Sequence, residues 1–209
     1  IRNITTKAQS NPKRVVFPEG DNIKILKAAQ VAYDEGVAFP ILLGRASKIK
    51  SLIEEYGIEL PEVTILDPKS EAEEERRHRY GKSFFDKRKR KGFTEFESVQ
   101  IMRERNYFGA MMVNEGDADT MITGLTKNYR STLKPVLQTI GLKEGVNVAA
   151  GMYILITKKG PMFLADTTVN RDPNAEEIAE ITMNVAKTIK KMRVTPIISL
   201  LSYSNFGSS

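Results

Sequence analysis

The first part of the chain alternates between short apolar runs and longer segments whose apolar residues recur at helical spacing. The short runs, Arg14–Gly20, Ala38–Gly44 and Val63–Leu66, are bounded by glycine or proline, as is typical of strands. Helical spacing predicts helices over 22–36 and 48–56. Because parallel strands need long crossover connections, this alternation predicts an α/β fold with three αβα layers and a mostly parallel sheet.

The next segment is dominated by charged residues and by two signals for the start of a helix. Ser70 and Glu73 have the spacing of a capping box, and a long polar helix is predicted after them. Thr94 and Glu97 have the same spacing and predict a second, shorter helix. The run Tyr107–Val113 is largely apolar, which predicts a buried strand.

The stretch Ala118–Pro135 combines a glycine turn with three cations. A short apolar run ends at Gly124, and a segment with helical character follows, carrying Lys127, Arg130 and Lys134. A strand that turns into a helix presents backbone N–H groups at the positive end of the helix dipole, and cations strengthen such a site for anions. One hypothesis is therefore a phosphate or acyl-phosphate site. The other is an ordinary strand-to-helix connection whose lysines are solvated.

Further along the chain, the pattern changes to that of a hairpin. Val146–Thr157 and Met162–Asp166 are apolar runs of period two joined by a Lys-Lys-Gly-Pro turn, which predicts an antiparallel pair. Asn174 with Glu177 then predicts a capped helix, and Pro196–Leu201 predicts a last strand.

This change in pattern predicts a domain boundary between Gly141 and Val146. Residues 1–10 are expected to form a helix or a linker from an upstream domain. Residues 11–142 are expected to form a first α/β subdomain, and residues 143–209 the start of a second. The first residue is not Met, and we expect the sequence to be a piece of a longer protein.

Composition narrows the classes of function. Apolar residues make up 41% of the chain and charged residues 28%, as in ordinary soluble globular proteins. No apolar run is long enough to cross a bilayer. The chain has no cysteine, and its one histidine, His78, lies in a charged helical segment, so no metal site is expected. The net charge of +6 suits either a nucleic acid or a polyanionic coenzyme.

The segment Arg76–Lys91 interleaves cations with aromatic residues. Tyr80, Phe84 and Phe85 among these cations could stack on bases, which makes a nucleic-acid-binding module one alternative. Their spacing is also that of the buried stripe of an amphipathic helix. We favour the stripe, and expect no nucleic-acid partner.

Five segments, in this order, resemble the phosphate acetyltransferase/butyryltransferase family. They are PKRVVFPEG from Pro12, RKRKGFT from Arg88, the GL–LKP frame from Gly124, LADTTVNRDPNAEEIAEIT from Leu164 and LLSYSNFGS from Leu200. The resemblance implies two α/β subdomains with the active cleft between them, similar to the isocitrate/isopropylmalate dehydrogenase class.

The resemblance also implies ligands and surroundings. Members of the family transfer an acetyl group between coenzyme A and phosphate, so coenzyme A or acetyl-CoA and phosphate are the expected ligands. A cytoplasmic homo-oligomer, a dimer or higher, is implied as well, with no membrane partner. The resemblance places the family's catalytic Ser–Arg pair and Asp in a segment outside this sequence, so no catalytic residue is assigned.

The resemblance also implies phosphate-binding residues. Arg88 matches one phosphate-binding arginine of the family. The second falls where relatives read VRP and this chain reads LKP, with Lys134 in the middle. A guanidinium grips two phosphate oxygens with a planar fork, whereas an ammonium is a point charge. Active relatives also read SxSTKGS where this chain has Ser202, Ser204 and the apolar ring of Phe206. The loss of one guanidinium fork and of one cation predicts binding without efficient turnover.

Two loops contribute further candidate residues. Asp166 ends a predicted strand and resembles the family's ADxxVN frame. Strand ends are where α/β folds place functional groups, although aspartate is also a common turn residue. Ser202 and Ser204 are expected either to bind a phosphate or to cap a following helix.

The departures from the family pattern resemble the phosphotransacetylase-like C-terminal domain of the large NADP-dependent malic enzymes. The resemblance implies that malate oxidation, NADP and a divalent metal belong to upstream domains, and that this region senses acetyl-CoA as an allosteric inhibitor. No dinucleotide-binding GxGxxG fingerprint occurs here. We therefore expect a regulatory acetyl-CoA-binding domain, with a catalytically active phosphate acyltransferase as the alternative.

Overall fold

The computed structural model describes residues 2–61 and 63–201. The chain divides into two compact units at Gly141–Leu142. The first unit contains a parallel sheet with helices on both faces. The second contains a β-hairpin and a long helix.

The sheet of the first unit is parallel throughout. Its strands are β1 (Lys13–Phe17), β2 (Ala38–Leu43), β3 (Thr64–Leu66) and β4 (Thr120–Met121). They lie in the order β3–β2–β1–β4. The chain thus builds outward from β1 to β3 and then returns to add β4 on the other side of β1. Such a reversal of direction is where α/β sheets leave a crevice at the carboxyl ends of the strands.

Helices precede, connect and follow the strands of this unit. They are α1 (Arg2–Gln9), α2 (Ile23–Asp34), α3 (Ala46–Glu55), α4 (Glu74–Arg88), α5 (Glu95–Ile101), α6 (Arg105–Asn114) and α7 (Tyr129–Thr139). Short 3-10 turns at Glu71–Glu73 and Lys89–Lys91 flank α4. The capping box predicted at Thr94 and Glu97 is confirmed at the start of α5.

Both faces of the sheet are buried. Successive side chains of β1 point to opposite faces, so Val16 packs with Phe84 of α4, while Val15 packs with Leu26 of α2 and Ile49 of α3. Side chains of α6 join those of α4 on the first face. The three-layer αβα architecture predicted from the sequence is therefore confirmed for this unit.

The aromatic residues of α4 belong to the core. Tyr80 and Phe84 are fully buried. The Tyr80 ring lies edge-on to Phe108 with centroids 5.2 Å apart, and the Phe84 ring lies edge-on to Phe93 at 5.0 Å. The buried stripe predicted for this helix is confirmed for Tyr80 and Phe84, and neither ring is exposed for stacking on a base.

The prediction of a strand at Tyr107–Val113 is wrong, because these residues belong to helix α6. Every residue from Asn106 to Met112 is buried, since α6 contacts β1, β4, α4 and α7. A helix that is covered on all sides shows no apolar stripe of period 3.6. Its continuous apolar run therefore resembled that of a buried strand.

The capping box predicted at Ser70 and Glu73 is also wrong. The Ser70 hydroxyl donates to the carbonyl of Asp67 at 2.8 Å and does not cap the turn that follows. Glu73 is buried and accepts a bond from Arg76 at 2.8 Å. Side-chain spacing alone therefore did not fix the start of this helix.

The second unit contains strands β5 (Met152–Thr157) and β6 (Gly160–Ala165) and helix α8 (Ala175–Lys191). The strands pair antiparallel, so the predicted hairpin is confirmed. The capping box of Asn174 is confirmed as well. The predicted strand at Pro196–Leu201 is wrong: these residues have no strand pairing, because an apolar run becomes a strand only when a neighbouring strand supplies its hydrogen bonds.

In the part of the chain that the structure describes, none of the helices has the length and apolar character needed to span a membrane.

Candidate functional site

The loop after β4 directs three backbone N–H groups at one carboxylate. The N–H groups of Gly124 and Leu125 donate to Oε2 of Glu19, each at 2.8 Å. The N–H of Thr126 donates to Oε1 at 2.6 Å, and the Thr126 hydroxyl donates to the same oxygen. The glycine turn therefore forms a cluster of donors, and the chain's own carboxylate occupies it.

Glu19 is 6% exposed and lies just beyond the end of β1. Burial alone would raise the pKa of Glu19, but the Thr126 hydroxyl and the three backbone N–H groups favour its charged form and lower that pKa below its ordinary value. Glu19 therefore stays ionised at neutral pH. It links the carboxyl end of β1 to the loop that follows β4.

A cleft of about 220 Å³ opens beside this contact. Glu19 and Asp21 line it after β1, Lys48 lines it from α3, Arg105 from α6, and Lys127 from the loop after β4. The cleft therefore lies at the carboxyl edge of the sheet, between the ends of β1 and β4. This is the reversal point of the strand order, the usual ligand-binding position in open α/β sheets.

An ion-pair network crosses the cleft. Arg105 grips Asp21 with both terminal nitrogens, at 2.7 and 3.1 Å, and Lys48 reaches the same carboxylate at 3.3 Å. Burial would raise the pKa of Asp21, but the hydrogen bonds and charges of Arg105 and Lys48 lower it. Glu104 caps α6 by accepting from the N–H groups of Asn106 and Tyr107.

Lys127, predicted as an anion-binding cation, forms an ion pair with Glu104. Arg130 and Lys134 follow on α7, four residues apart and therefore one turn apart on one side of the helix. Both are exposed. Within residues 2–61 and 63–201, neither side chain has a hydrogen-bond or ion-pair partner. The structure thus separates the predicted cations into one that is paired and two that are available.

Arg88, at the end of α4, contacts the C-terminal end of α7. Its Nε donates to the carbonyl of Gln138 and its Nη2 donates to that of Leu137, both at 2.8 Å. Lys87 donates to the carbonyl of Thr139 at 3.0 Å. The last carbonyls of a helix lack partners within it, so these cations complete the C-terminus of α7. The other N–H groups of Arg88 have no hydrogen-bond partner among the described residues.

Asp166 lies in the second unit, directly after β6. Its backbone has a positive φ of 53°, and its Oδ1 accepts from the side-chain amide of Asn170 at 3.0 Å. The same amide donates to the carbonyl of Ala149 at 2.8 Å. Asp166 therefore stabilises the loop after the hairpin. Ser202 and Ser204 lie outside the described residues.

The sequence did not single out Glu19, Asp21, Arg105 or Asn106. Glu19 and Asp21 directly follow a predicted strand, and the strand-end rule could have identified them. Arg105 and Asn106 could not be found in this way, because the segment after them was assigned to a strand rather than to a helix.

Among the described residues, no group of three or more acidic, histidine or cysteine side chains is arranged to hold a metal ion.

Comparison with known proteins agrees with this architecture. Over 210 residues the chain is 36% identical to the NADP-dependent malic enzyme of Escherichia coli (strain K12), with all of this chain and 28% of that protein aligned. It is 34% identical to the phosphate acetyltransferase of Thermoanaerobacterium thermosaccharolyticum, covering 64% of that protein.

A solved structure of a phosphotransacetylase from Streptococcus pyogenes superposes on all of the chain with a TM-score of 0.86 and 31% identity, covering 64% of that protein. The chain thus spans less than two thirds of the length of each of these relatives. The family model described as "phosphate acetyl/butaryl transferase" matches residues 1–209, which is the whole chain. The chain therefore belongs to the phosphate acetyl/butaryl transferase family.

Proposed function

We propose that this chain is an acyl-CoA-binding domain with a regulatory role in a larger NADP-dependent malic enzyme. The observation that carries the proposal is the exposed pair Arg130 and Lys134 on α7, because both cations lack a partner among the described residues. Two such charges one turn apart suit a phosphate group of coenzyme A or of an acyl phosphate.

Binding without efficient turnover follows from the chemistry of these cations. Lys134 supplies attraction but no planar fork, so it does not fix the orientation of an acyl phosphate. Arg88 has a fork, but two of its N–H groups are engaged by the carbonyls of Leu137 and Gln138. Correct orientation of the reacting groups accounts for much of an enzyme's rate enhancement. The cations therefore favour recognition over catalysis.

The likeness to a malic enzyme over the whole chain supports the same proposal. In this proposal NADP and a divalent metal are bound by other domains of the parent protein, which is a cytoplasmic homo-oligomer. Asp166, Ser202 and Ser204 remain predicted ligand-binding residues, and so does Gly124, although its N–H group donates to Glu19 in this structure.

The second candidate is a catalytically active phosphate acyltransferase. The likeness to phosphate acetyltransferases favours it, since that likeness also extends over the whole chain and includes the fold. The two candidates share a ligand, and the rate of acyl transfer distinguishes them.

Calorimetric titration of the parent protein with acetyl-CoA tests the binding surface. We expect the double variant Arg130→Ala/Lys134→Ala to bind at least tenfold more weakly, a loss of about 1.4 kcal/mol. Lys82→Ala is the matched control, because Lys82 is exposed on α4 and has no partner among the described residues. Equal affinity of the double variant and the wild-type protein would contradict the assignment to α7.

A further inference from the structure

The C-terminal end of α7 is held by two cations from the end of α4. Arg88 donates to the carbonyls of Leu137 and Gln138, both at 2.8 Å. Lys87 donates to the carbonyl of Thr139 at 3.0 Å. The last carbonyls of a helix have no partner within it. Each of the last three carbonyls of α7 therefore depends on a side chain from another helix.

A side chain of α6 fixes the rotation of α7 about its own axis. The hydroxyl of the buried Tyr107 donates to Oε1 of Gln138. Burial and the charge of Glu104 raise the pKa of Tyr107, so the hydroxyl keeps its proton for this bond at neutral pH. Gln138 lies one helical turn after Lys134, which itself lies one turn after Arg130. The two exposed cations and the anchored glutamine thus form one row along the helix.

The internal hydrogen bonding of α7 is interrupted, which makes these outside contacts more important. Pro135 lies within the helix and has no N–H group, so the helix lacks the hydrogen bond that this position would donate to the carbonyl of Ser131. At the N-terminus the cap comes from the same segment, because the Asn128 side chain accepts from the N–H of Ser131 at 2.9 Å. The contacts with α4 and α6 therefore help to set the direction in which the row of cations points.

We propose that Lys87 and Tyr107 are positioning residues of the acyl-CoA surface. They fix the C-terminal end and the rotation of α7, and they thereby hold Arg130 and Lys134 in the direction that a phosphate group requires. This inference rests on the proposed function, because it takes Arg130 and Lys134 as the cations that bind the ligand. Removal of either anchor should therefore weaken acetyl-CoA binding by the folded protein.

Calorimetry of the parent protein with acetyl-CoA tests the role of Tyr107. Tyr107→Phe removes the hydroxyl and keeps the ring, which lies edge-on to Phe84 with centroids 5.8 Å apart. We expect acetyl-CoA to bind about fivefold more weakly, the effect of about one hydrogen bond. Tyr33→Phe is the control, because the Tyr33 hydroxyl has no hydrogen-bond partner among the described residues. Equal affinities of Tyr107→Phe and the wild-type protein would overturn the proposal.

Combined substitutions distinguish a positioning role from an independent contribution to binding. If Tyr107 acts through the row of cations, Tyr107→Phe should cost no further affinity in the double variant Arg130→Ala/Lys134→Ala, because residues that act through one another are not additive. An additive loss would overturn the positioning role and leave the surface on α7 intact. Wild-type affinity of the double variant would instead overturn the surface itself, and the positioning role with it.

Lys87→Met tests the second anchor, with Lys82→Met as the control on the exposed side of α4. Lys87→Met should weaken acetyl-CoA binding, and Lys82→Met should not. Amide hydrogen exchange in α7 should become faster in Lys87→Met and in Tyr107→Phe, and should stay unchanged in Lys82→Met. Faster exchange in α7 with unchanged affinity for acetyl-CoA would show that the anchors stabilise the helix without positioning its cations, and would overturn the proposal.

Discussion

At the scale of single residues, the segment between β4 and the end of α7 contacts the carboxylate of Glu19 at its start and carries the exposed cation Lys134 on α7. The carboxylate of Glu19 binds the N–H groups of Gly124, Leu125 and Thr126. These are the groups that the sequence suggested for an external anion. The chain thus satisfies the donors of its own glycine turn, and the cations further along the segment are what remain for a ligand.

Glu19→Gln should destabilise the first unit, because an amide cannot accept all four hydrogen bonds and places its NH₂ group against backbone donors. We expect a loss of about 1–3 kcal/mol in the free energy of unfolding, measured with urea at pH 7. Glu59→Gln is the control, since Glu59 is exposed and has no hydrogen bond among the described residues. Equal effects of the two substitutions would contradict a structural role for Glu19.

The pH dependence of this loss has a definite sign. The folded-state pKa of Glu19 is lowered, so its contribution to stability is complete above its unfolded pKa of about 4.3 and is lost as pH falls through the folded value. The difference between wild type and Glu19→Gln should therefore be full at neutral pH and shrink in acid below about pH 4. A difference that grew on acidification would contradict the lowered pKa.

Lys134→Arg should tighten phosphate binding, because the guanidinium fork can grip two oxygens where the ammonium grips one. We expect roughly tenfold higher affinity for acetyl-CoA or phosphate by calorimetry. Lys50→Arg provides the control for a general effect of adding a guanidinium. Unchanged affinity for Lys134→Arg would count against the site on α7.

At the scale of elements, the sequence predicted those with clear local signals at their ends and failed for a helix that has no apolar stripe. β1 and β2 are recognisable because apolar runs bounded by glycine or proline are read directly from the chain, and the Thr94 cap is a local signal. Helix α6 is buried on all sides, so its type depends on neighbours that no local pattern contains. Likewise, the cleft beside Glu19 could not be predicted, because it is assembled from segments distant in sequence.

The contact between α4 and α5 is an example of such a long-range constraint. A Cβ built at Gly81 would lie 2.7 Å from both Cα and Cγ2 of Val99. Gly81→Ala should therefore lower the free energy of unfolding by about 1–3 kcal/mol, although alanine is the better helix former. Lys82→Ala on the exposed side of α4 should be close to neutral in the same urea titration. A stabilising effect of Gly81→Ala would show that α5 moves away freely.

At the scale of the whole molecule, the family assignment and the function draw on different evidence. The family follows from a match over all 209 residues and from a solved structure with a TM-score of 0.86. The function depends on a few side chains, because one fold can support both catalysis and recognition. The whole chain aligns with a malic enzyme and with a phosphate acetyltransferase at similar identity. A measured rate of acyl transfer is therefore needed to distinguish the two candidate functions.

The rate of acetyl transfer is the most direct test of recognition without turnover. In a coupled assay, the parent protein is mixed with acetyl phosphate and coenzyme A, and formation of acetyl-CoA is followed. We predict that acetyl-CoA binds while the turnover number stays far below about 1 s⁻¹, the lower end of the usual enzymatic range. Turnover within that range, about 1–10³ s⁻¹, would contradict the regulatory role and establish a phosphate acyltransferase instead.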